Sequence, residues 1–566
     1  MKSGCIRLPT CASSSYFNSK NPVLRALPTL ILLLVACVLA LPVLAVIGQW
    51  TQWDAQTADI LREMAATVLP EYLWVTLQVV VMVGIGVVAM GVPAAVLVTV
   101  FDFRGRRAFE WLLLLPLAMP AYVTAYAYTD FLQFSGPLQT GLRAAFGLEG
   151  RLIPEVRSVW GAAWVFSFSL YPYVSLLART ALAERAPQLM EAARLMGASL
   201  PRRLREVALP MARPAVAAGT ALALMEVLAD YGVSVYFGIQ TFTAGIYKAW
   251  LSMDNRIAAA QLATVLLALV MVLLWLEQRA QRRLRFVGSA TARASSSEAR
   301  PIPLRGMRGA IAWVLCLLPV LMGFVLPVGF MLRPLSADWS VLPWDRFLIW
   351  TWNSVRLGSI TAVLAVLAAW FLAYSLRRAP TLLRRWAVQI VSLGYAVPGA
   401  VIVVGLLLPV GWLQARWPES GVGAVVTVTI WGLVWAYLVR FVSVALQSMQ
   451  SGYARVPRSL DESARMLGAT GVELAARVHW PLLRRAGFAA GLLVFVDVMK
   501  ELPATIVLRP FNTDTLAVVA NQLARDERLG EAALPSLALV LVGLVPVILL
   551  SRTLRSERRS VDAELL

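Results

Sequence analysis

Histidine and cysteine are scarce in this 566-residue chain. A single histidine, His479, excludes a metal centre built from several imidazole ligands. The cysteines show no paired spacing that would indicate a metal site or a disulfide framework, and they are Cys5, Cys11, Cys37 and Cys316. Together with the lack of a nucleophile motif, these absences leave nothing in the sequence that supports an enzyme.

Lysine is equally rare, and this bears on nucleotide binding. A phosphate-binding loop needs a Gly-Lys step followed by Ser or Thr. None of the four lysines follows a glycine; they are Lys2, Lys20, Lys248 and Lys500. We therefore expect that the chain binds no cofactor, and that any ATP it uses is bound by a separate subunit.

Charged residues make up only 15% of the chain and hydrophobic residues 59%, whereas soluble domains average about 25% charged residues. Since about 20 apolar residues cross a bilayer as a helix, the apolar runs predict an all-α, polytopic membrane protein with about twelve transmembrane helices. The predicted spans are 27–48, 73–100, 109–131, 158–178, 213–235, 257–276, 309–332, 351–376, 386–410, 421–439, 486–508 and 533–551.

The net charge of +19 is explained by membrane orientation. If the N-terminus is placed inside, the inner segments carry 37 of the 51 lysines and arginines. Because an excess of basic residues marks cytoplasmic loops, both termini are predicted to be cytoplasmic. The basic residues thus indicate topology and a lipid bilayer as partner, and not a nucleic-acid partner.

The chain contains an internal repeat, in which matching residues are always separated by the same interval in sequence. We call this interval, from Glu191 to Glu462, the repeat offset. Further matching pairs are Ala193 and Ala464, Gly197 and Gly468, Pro210 and Pro481, and Arg213 and Arg484. Six predicted spans fit within one offset, and an even number of spans preserves orientation, so the sequence predicts two parallel six-helix repeats. We call residues 1–278 the first half and 309–566 the second half. Residues 279–308 are rich in Arg, Ser and Ala and are predicted to form a cytoplasmic linker.

Each half repeats one inside segment, which we call the first loop (191–210) and the second loop (462–481). Each is predicted to form two short helices around a tight turn, in which Gly197 or Gly468 takes the left-handed conformation. Ser199 and Thr470 suit the next N-cap position, and Thr470 with Glu473 fits a capping box. The prolines of the two loops, at 210 and 481, are expected to end the second helix.

This pattern resembles the EAA loop of ABC importer permeases. The first loop retains Glu191, Ala192, Ala193, Gly197 and Leu209-Pro210, whereas the second has Ser463 for Ala and Trp480 for Leu. The resemblance implies that both loops are coupling loops, each docking one of two ABC ATPase subunits that bind ATP, and that a periplasmic substrate-binding protein delivers the substrate. It also implies a multi-pass protein of the cell inner membrane.

On this resemblance the chain divides into six parts. Two are ABC transmembrane type-1 permease domains, and the others are an N-terminal segment with the first span, a cytoplasmic linker, a segment with the seventh span, and a cytoplasmic tail. In chain order they are 1–72, the first permease domain at 73–278, the linker at 279–308, 309–350, the second permease domain at 351–552, and 553–566.

The fusion of two halves in one chain resembles the ferric-iron transport permeases. So do Leu228-Ala229-Asp230-Tyr231-Gly232, Pro120-Ala121-Tyr122 and Lys500-Glu501-Leu502-Pro503-Ala504-Thr505. The resemblance implies translocation of ferric iron. Importers of the same class for thiamine or a phosphonate are alternatives, and a secondary transporter with twelve spans is a more distant one.

Two pairs of acidic residues lie within apolar segments, where they usually face a cavity. Glu226 and Asp230 are four residues apart on one helical face, and the repeat offset relates them to Asp497 and Glu501. One interpretation is a cation pathway without a firmly assigned metal site; the other is structural hydrogen bonding, with Lys500 neutralising Glu501. Tyrosines at 122, 126 and 128 either line the same cavity or anchor helix ends at the membrane interface.

Overall fold

The computed structural model describes residues 22–51, 55–282, 301–337, 339 and 342–564. Most of the predicted linker and the cysteines at positions 5 and 11 lie outside these residues. The described chain is almost entirely helical. The one sheet that it contains is a parallel pair, β1 (Phe101–Asp102) with β2 (Ile302–Pro303), so the predicted all-α class is confirmed.

The helices of the first half are α1 Pro22–Gly48, α2 Ala55–Ala66, α3 Leu69–Val100, α4 Arg106–Leu112, α5 Ala121–Leu132, α6 Pro137–Phe146, α7 Val159–Leu195, α8 Leu200–Arg203, α9 Leu209–Ala229, α10 Gly232–Tyr236, α11 Phe242–Tyr247 and α12 Arg256–Arg282. The helices of the second half are α13 Met307–Val320, α14 Leu326–Ala337, α15 Trp344–Arg378, α16 Leu382–Ser392, α17 Gly399–Arg416, α18 Val422–Val428, α19 Ile430–Ala454, α20 Arg458–Met466, α21 Gly471–Glu473, α22 Trp480–Lys500, α23 Pro503–Leu508, α24 Leu516–Arg525 and α25 Leu529–Glu564.

Eight short segments are 3-10 or π helices. The 3-10 segments are Gln49–Thr51, Leu115–Ala118, Gly394–Ala396 and Pro418–Ser420, and the π segments are Leu204–Ala208, Lys248–Ser252, Leu321–Val325 and Leu474–His479.

Ten helices of the described chain are long and apolar enough to cross a membrane, and a bent pair raises the number to eleven. The bent pair lies where the sequence predicts the third span: Arg106–Ala118 and Ala121–Phe146 meet at 87°. Met119 is extended at the bend, because the ring of Pro120 disfavours a helical conformation of the residue before it. The predicted span at 109–131 is therefore a bent pair of helices and not one straight helix.

Four other predicted spans differ from the structure. The fifth, 213–235, runs past the end of α9 at Ala229 into α10, and the ninth, 386–410, crosses a break, because α16 ends at Ser392 and α17 begins at Gly399. The tenth, 421–439, is displaced, because α18 ends at Val428 and the long helix α19 begins at Ile430. The eleventh, 486–508, is not among the apolar helices. α22 occupies most of that region and packs against α15 and α19, but it contains two arginines near its start and Asp497 and Lys500 near its end.

The repeat offset also relates helix boundaries in the two halves. Helices α7 and α19 begin at the matching residues Val159 and Ile430, and helices α9 and α22 begin at the matching residues Leu209 and Trp480. The two halves also pack their helices in the same way: α3, α7 and α9 contact one another in the first half, and α15, α19 and α22 do so in the second.

The first helices of each half, α1 in the first and α13 and α14 in the second, pack against the opposite half. Helix α1 packs against α16 and α17 of the second half, while α13 packs against α3 and α14 packs against α5 of the first half. At one crossing the backbone of Pro42 lies against Gly405, where an added Cβ atom would come within 1.9 Å of the Pro42 carbonyl oxygen. Small residues permit such close helix contacts in membrane proteins, and these crossings bring the two halves together around the cavity described below.

Candidate functional site

Both predicted loops turn through a glycine with a positive φ. The φ angle is +82° at Gly197 and +87° at Gly468, which confirms the predicted left-handed conformation. The Ala198 N–H donates to the Ala193 carbonyl, and the Ala469 N–H donates to the Ala464 carbonyl, each at 3.0 Å. This hydrogen-bond pattern closes the C-terminal end of a helix, so each Glu-containing helix ends at the tip of its loop.

The residues after the turn start the next helix. Ser199 and Thr470 are the N-cap residues of α8 and α21. The predicted capping box is present in the second loop, where the Thr470 hydroxyl accepts from the Glu473 N–H and the Glu473 carboxylate accepts from the Thr470 N–H. The N–H of Thr470 holds the pKa of Glu473 below its usual value.

The prolines at 210 and 481 do not end the second helix, contrary to the sequence prediction. In each half the chain stays helical through a π turn and continues into α9 or α22. The Leu209 N–H donates to the Leu204 carbonyl and the Trp480 N–H donates to the Ala475 carbonyl, five residues back in each case. A proline inside a regular α-helix has no N–H for the preceding turn and clashes with the carbonyl four residues back, so the wider π turn accommodates it here.

The tips of the loops expose large apolar side chains that the sequence analysis did not single out. Leu195 and Met196 are 82% and 81% exposed, and their equivalents Met466 and Leu467 are 85% and 90% exposed. Apolar residues clustered on a surface outside the membrane mark a protein-interaction site. The signal in the sequence was their recurrence at the repeat offset beside the two glycines.

Other loop residues are placed as follows. Glu191, Ala192 and Glu462 are exposed, and Glu191 lies 3.7 Å from Arg194. Ala193 is buried and Ala464 is partly buried. The acids therefore stand at the surface, while Ala193 and Ala464, two residues after them, face the body of the protein.

A second candidate site is a cavity of about 170 Å³ between the halves. It is lined by all four predicted acids, Glu226, Asp230, Asp497 and Glu501, and by Tyr122. Each pair of acids stands at the end of α9 or α22 that is far from the loops. The structure therefore brings the two pairs together around one space.

Two of these acids close helix ends. The Asp230 carboxylate accepts from the N–H groups of Val233 and Ser234 at 3.0 and 3.1 Å. Its equivalent, Glu501, accepts from the N–H groups of Ala504 and Thr505 at 2.9 and 3.0 Å. These carboxylates satisfy the free N–H groups at the start of α10 and α23, so both have a structural role.

The other two acids have different surroundings. Glu226 accepts a hydrogen bond from the Tyr395 hydroxyl at 2.6 Å and lies 3.5 Å from the guanidinium of Arg440. Asp497 lines the same cavity, and among the described residues no hydrogen bond to its carboxylate is found; Lys500 and Arg440 act on it electrostatically.

The cavity also contains two cations that the sequence analysis did not assign to it. Arg440 falls just past the tenth predicted span, 421–439, but in the structure it lies within helix α19 and is only 8% exposed. The proposed salt bridge from Lys500 to Glu501 is not formed. The Lys500 ammonium donates to the Leu117 carbonyl at 2.9 Å, while the Glu501 carboxylate accepts from the N–H groups at the start of α23. An isolated charged residue in an otherwise apolar run was the available signal for Arg440.

The tyrosines divide between the cavity and the core. Tyr122 lines the cavity and donates to the Lys500 carbonyl at 3.3 Å. Tyr126 does not line it, contrary to prediction: its hydroxyl accepts from Asn521 at 2.7 Å, and it is fully buried. Tyr128 is also buried and donates to the Met322 carbonyl at 2.6 Å, so none of the three is an exposed interface anchor.

The described residues contain no group of three or more His, Cys, Asp or Glu side chains arranged to hold a metal ion. The four acids are therefore spread around the cavity rather than gathered on one point. Such a lining can attract a charged solute by its field without enclosing it in a coordination sphere.

Comparisons with known proteins give this geometry a context. Residues 88–286 match the family model of the binding-protein-dependent transport system inner membrane component. Over 534 residues, the chain is 24% identical to the Fe(3+)-transport system permease protein FbpB 2 of Haemophilus influenzae, covering 93% of this chain and 97% of the relative. It is also 25% identical to a probable ABC transporter permease, y4fN, of Sinorhizobium fredii, covering 87% and 89% of the two chains.

A shorter relative covers part of the chain. The sulfate transport system permease protein CysT of Salmonella typhimurium is 28% identical over 252 residues, covering 43% of this chain and 87% of the relative. These relatives are transport permeases and not enzymes. With its apolar helices and its match to this family model over residues 88–286, the chain is similar to ABC-type membrane permeases.

Proposed function

We propose that this chain forms the translocation pathway of an ABC importer for ferric iron in the cell inner membrane, with both termini in the cytoplasm. Permeases of this class work with ATPase subunits and a substrate-binding protein. In the proposal two ATPase subunits dock on the first and second loops, and a periplasmic binding protein delivers iron to the opposite side. The likeness to an Fe(3+)-transport permease over 93% of the chain supports the choice of substrate.

The chemistry of the cavity is consistent with a hard cation as cargo. Carboxylate oxygens are preferred ligands of hard metal ions, and four carboxylates face two cationic side chains around the cavity. This leaves two carboxylates in excess when all six groups are ionised. Because Asp230 and Glu501 are occupied by helix ends, the pathway attracts the cation without binding it as tightly as a metal site would.

The docking role of the loops is supported by their shape. Each loop exposes an acid, a left-handed glycine turn and two apolar side chains at its tip. The free energy falls when a partner covers apolar side chains that are otherwise exposed to water. We infer that Glu191 and Glu462 then form ion pairs or hydrogen bonds at the rim of each contact.

The single observation that carries the proposal is the meeting of both acid pairs in one cavity. The test is uptake of radiolabelled ferric iron by cells that depend on this importer, with Asp497→Asn and Glu226→Gln as the variants. Each amide keeps the shape of its acid and removes the charge, and we expect iron uptake to fall at least tenfold. Glu155→Gln, which removes an exposed carboxylate paired with Arg151, is the matched control and should transport normally.

Folding is monitored separately by the amount of chain in the membrane and by ATPase binding. Native iron uptake by both variants at normal membrane levels would refute the cation pathway. Loss of uptake with ATPase binding intact would place the acids in translocation rather than in coupling.

A second candidate is an importer for an oxyanion such as a phosphonate or sulfate. Arg440 and Lys500 line the same cavity, and CysT is a sulfate permease by name. In that case Lys500→Gln should abolish uptake of the radiolabelled anion, and Asp497→Asn should leave that uptake intact or raise it. The two proposals therefore predict different outcomes for Asp497→Asn: loss of iron uptake in the first, and intact or higher anion uptake in the second.

A further inference from the structure

The bases of the two loops have opposite chemistry at equivalent positions. The repeat offset pairs Met190 with Asp461, Ala208 with His479, and Leu182 with Tyr453. The first-half members belong to a small apolar cluster separate from the main core. The second-half members form a polar network that includes the only histidine of the chain.

The network is centred on the Asp461 carboxylate. Arg377 of α15 donates to both of its oxygens, at 2.8 and 3.0 Å. The His479 Nε2 atom lies 2.9 Å from one oxygen, and the Tyr453 hydroxyl lies 3.3 Å from His479 Nδ1. A neutral imidazole with its proton on Nε2 satisfies both contacts, because it donates to Asp461 and accepts from Tyr453.

Arg377 also spans a break in the backbone helix. Helix α19 ends at Ala454 and α20 begins at Arg458. Across this gap the Arg377 guanidinium donates to the carbonyls of Tyr453, Val456 and Pro457 at 3.0 to 3.1 Å. The first half has no such gap, since α7 continues from Val159 to Leu195; there the helix itself connects the membrane span to the loop.

We propose that Arg377, Asp461 and His479 are positioning residues for the second loop, which fix α20 in the orientation that the ATPase subunit recognises. The first loop needs no counterpart, because it is the end of a long helix packed on an apolar base. This inference rests on the proposed docking of ATPase subunits on both loops. It predicts that damage to the network weakens one docking site and spares the other.

The experiment measures the two docking sites separately. Full-length chains with native cysteines replaced by serine carry Met196→Cys or Leu467→Cys, and a photoreactive maleimide on that cysteine is crosslinked to a co-expressed, tagged ATPase subunit of the same transport system. In Asp461→Asn, crosslinking at 467 should fall about tenfold, as expected for losing charge-assisted hydrogen bonds. Crosslinking at 196 should stay within about twofold, a change worth less than one ordinary hydrogen bond.

Two further variants control for folding. Met190→Leu alters the equivalent position of the first loop with little change in volume and should reduce neither crosslink. His479→Ala introduces the residue found at the first loop and keeps the Arg377–Asp461 pair; it should lower crosslinking at 467 about threefold, as for one lost hydrogen bond. His479→Ala decides the matter if Asp461→Asn fails to reach the membrane.

The outcomes separate the inference from the proposed function. If the parent chain crosslinks at neither position, the docking proposal itself is wrong. If the parent crosslinks at both, the inference is overturned when the His479 variant retains full crosslinking at 467, or when it loses both crosslinks equally.

Discussion

Gly468 is the point at which the second loop turns, and its backbone conformation determines the free-energy cost of replacing it. Its φ of +87° is one that residues with a Cβ atom rarely adopt. No atom lies within 4 Å of a Cβ added there, so replacing it with alanine causes no clash. The cost of Gly468→Ala is then conformational, about 1–2 kcal/mol, which lowers the equilibrium ratio of the native turn to its alternatives by a factor of about 5–30.

The assay compares ATPase coupling with overall stability. We expect Gly468→Ala to reduce transport-coupled ATP hydrolysis by up to that factor. Gly468→Asn should reduce it less, because asparagine tolerates positive φ, and Asn512 has a φ of 59° in this chain. The control is Gly238→Ala, at another open position with a φ of +69° beyond the far end of α9. It imposes a similar strain away from the loops.

Two results would refute this reasoning. One is normal coupling in Gly468→Ala, which would mean that the turn is not needed in its observed form. The other is an equal loss of coupling in Gly238→Ala, which would attribute the effect to general destabilisation of the chain.

Three other predictions concern the loops and the orientation. Glu191→Ala or Glu462→Ala should weaken co-purification of the ATPase subunit, and unchanged recovery with both would count against docking there. A cysteine at position 295, in the predicted linker, should be labelled by an impermeant maleimide only after cells are opened; labelling of intact cells would reverse the topology. Burial raises the pKa of Asp461, but hydrogen bonds from Arg377 and His479 outweigh this and lower the pKa overall. The contribution of Asp461 to stability is therefore present above about pH 4 and lost as the pH falls further. Asp461→Asn should make Tm less dependent on pH in this range.

The loops could be predicted from the sequence because their structure is decided by neighbouring residues. A glycine that ends a helix, a threonine N-cap and a glutamate three residues later act within one or two turns. The structure has the left-handed glycines and the capping box where these rules put them. The prolines were misjudged because the π turn that accommodates them depends on the helix that follows.

The cavity was only partly predictable. The four acids could be paired through the repeat, since equal spacing on a helix places them on one face. Their partners could not be found in this way: Tyr395 and Arg440 both lie in the opposite half of the chain from Glu226, and contacts so remote in sequence depend on how the halves pack. The bend at Pro120 was missed because an apolar segment gives the same hydropathy signal whether it forms one straight helix or two helices at an angle.

The repeat supplies equivalent positions, yet the two halves use them unequally. Arg440 corresponds to Ser169 at the repeat offset, so the equivalent position of the first half carries no cation. Glu226 belongs to α9, whereas Arg440 and Tyr395 belong to the second half. A motion that separates the halves must break these two contacts, while Asp230 and Glu501 keep their bonds to the helices that follow them in their own half. We therefore expect that Asp497 is available to a cation in the observed conformation, and that Glu226 becomes available only when the halves move apart.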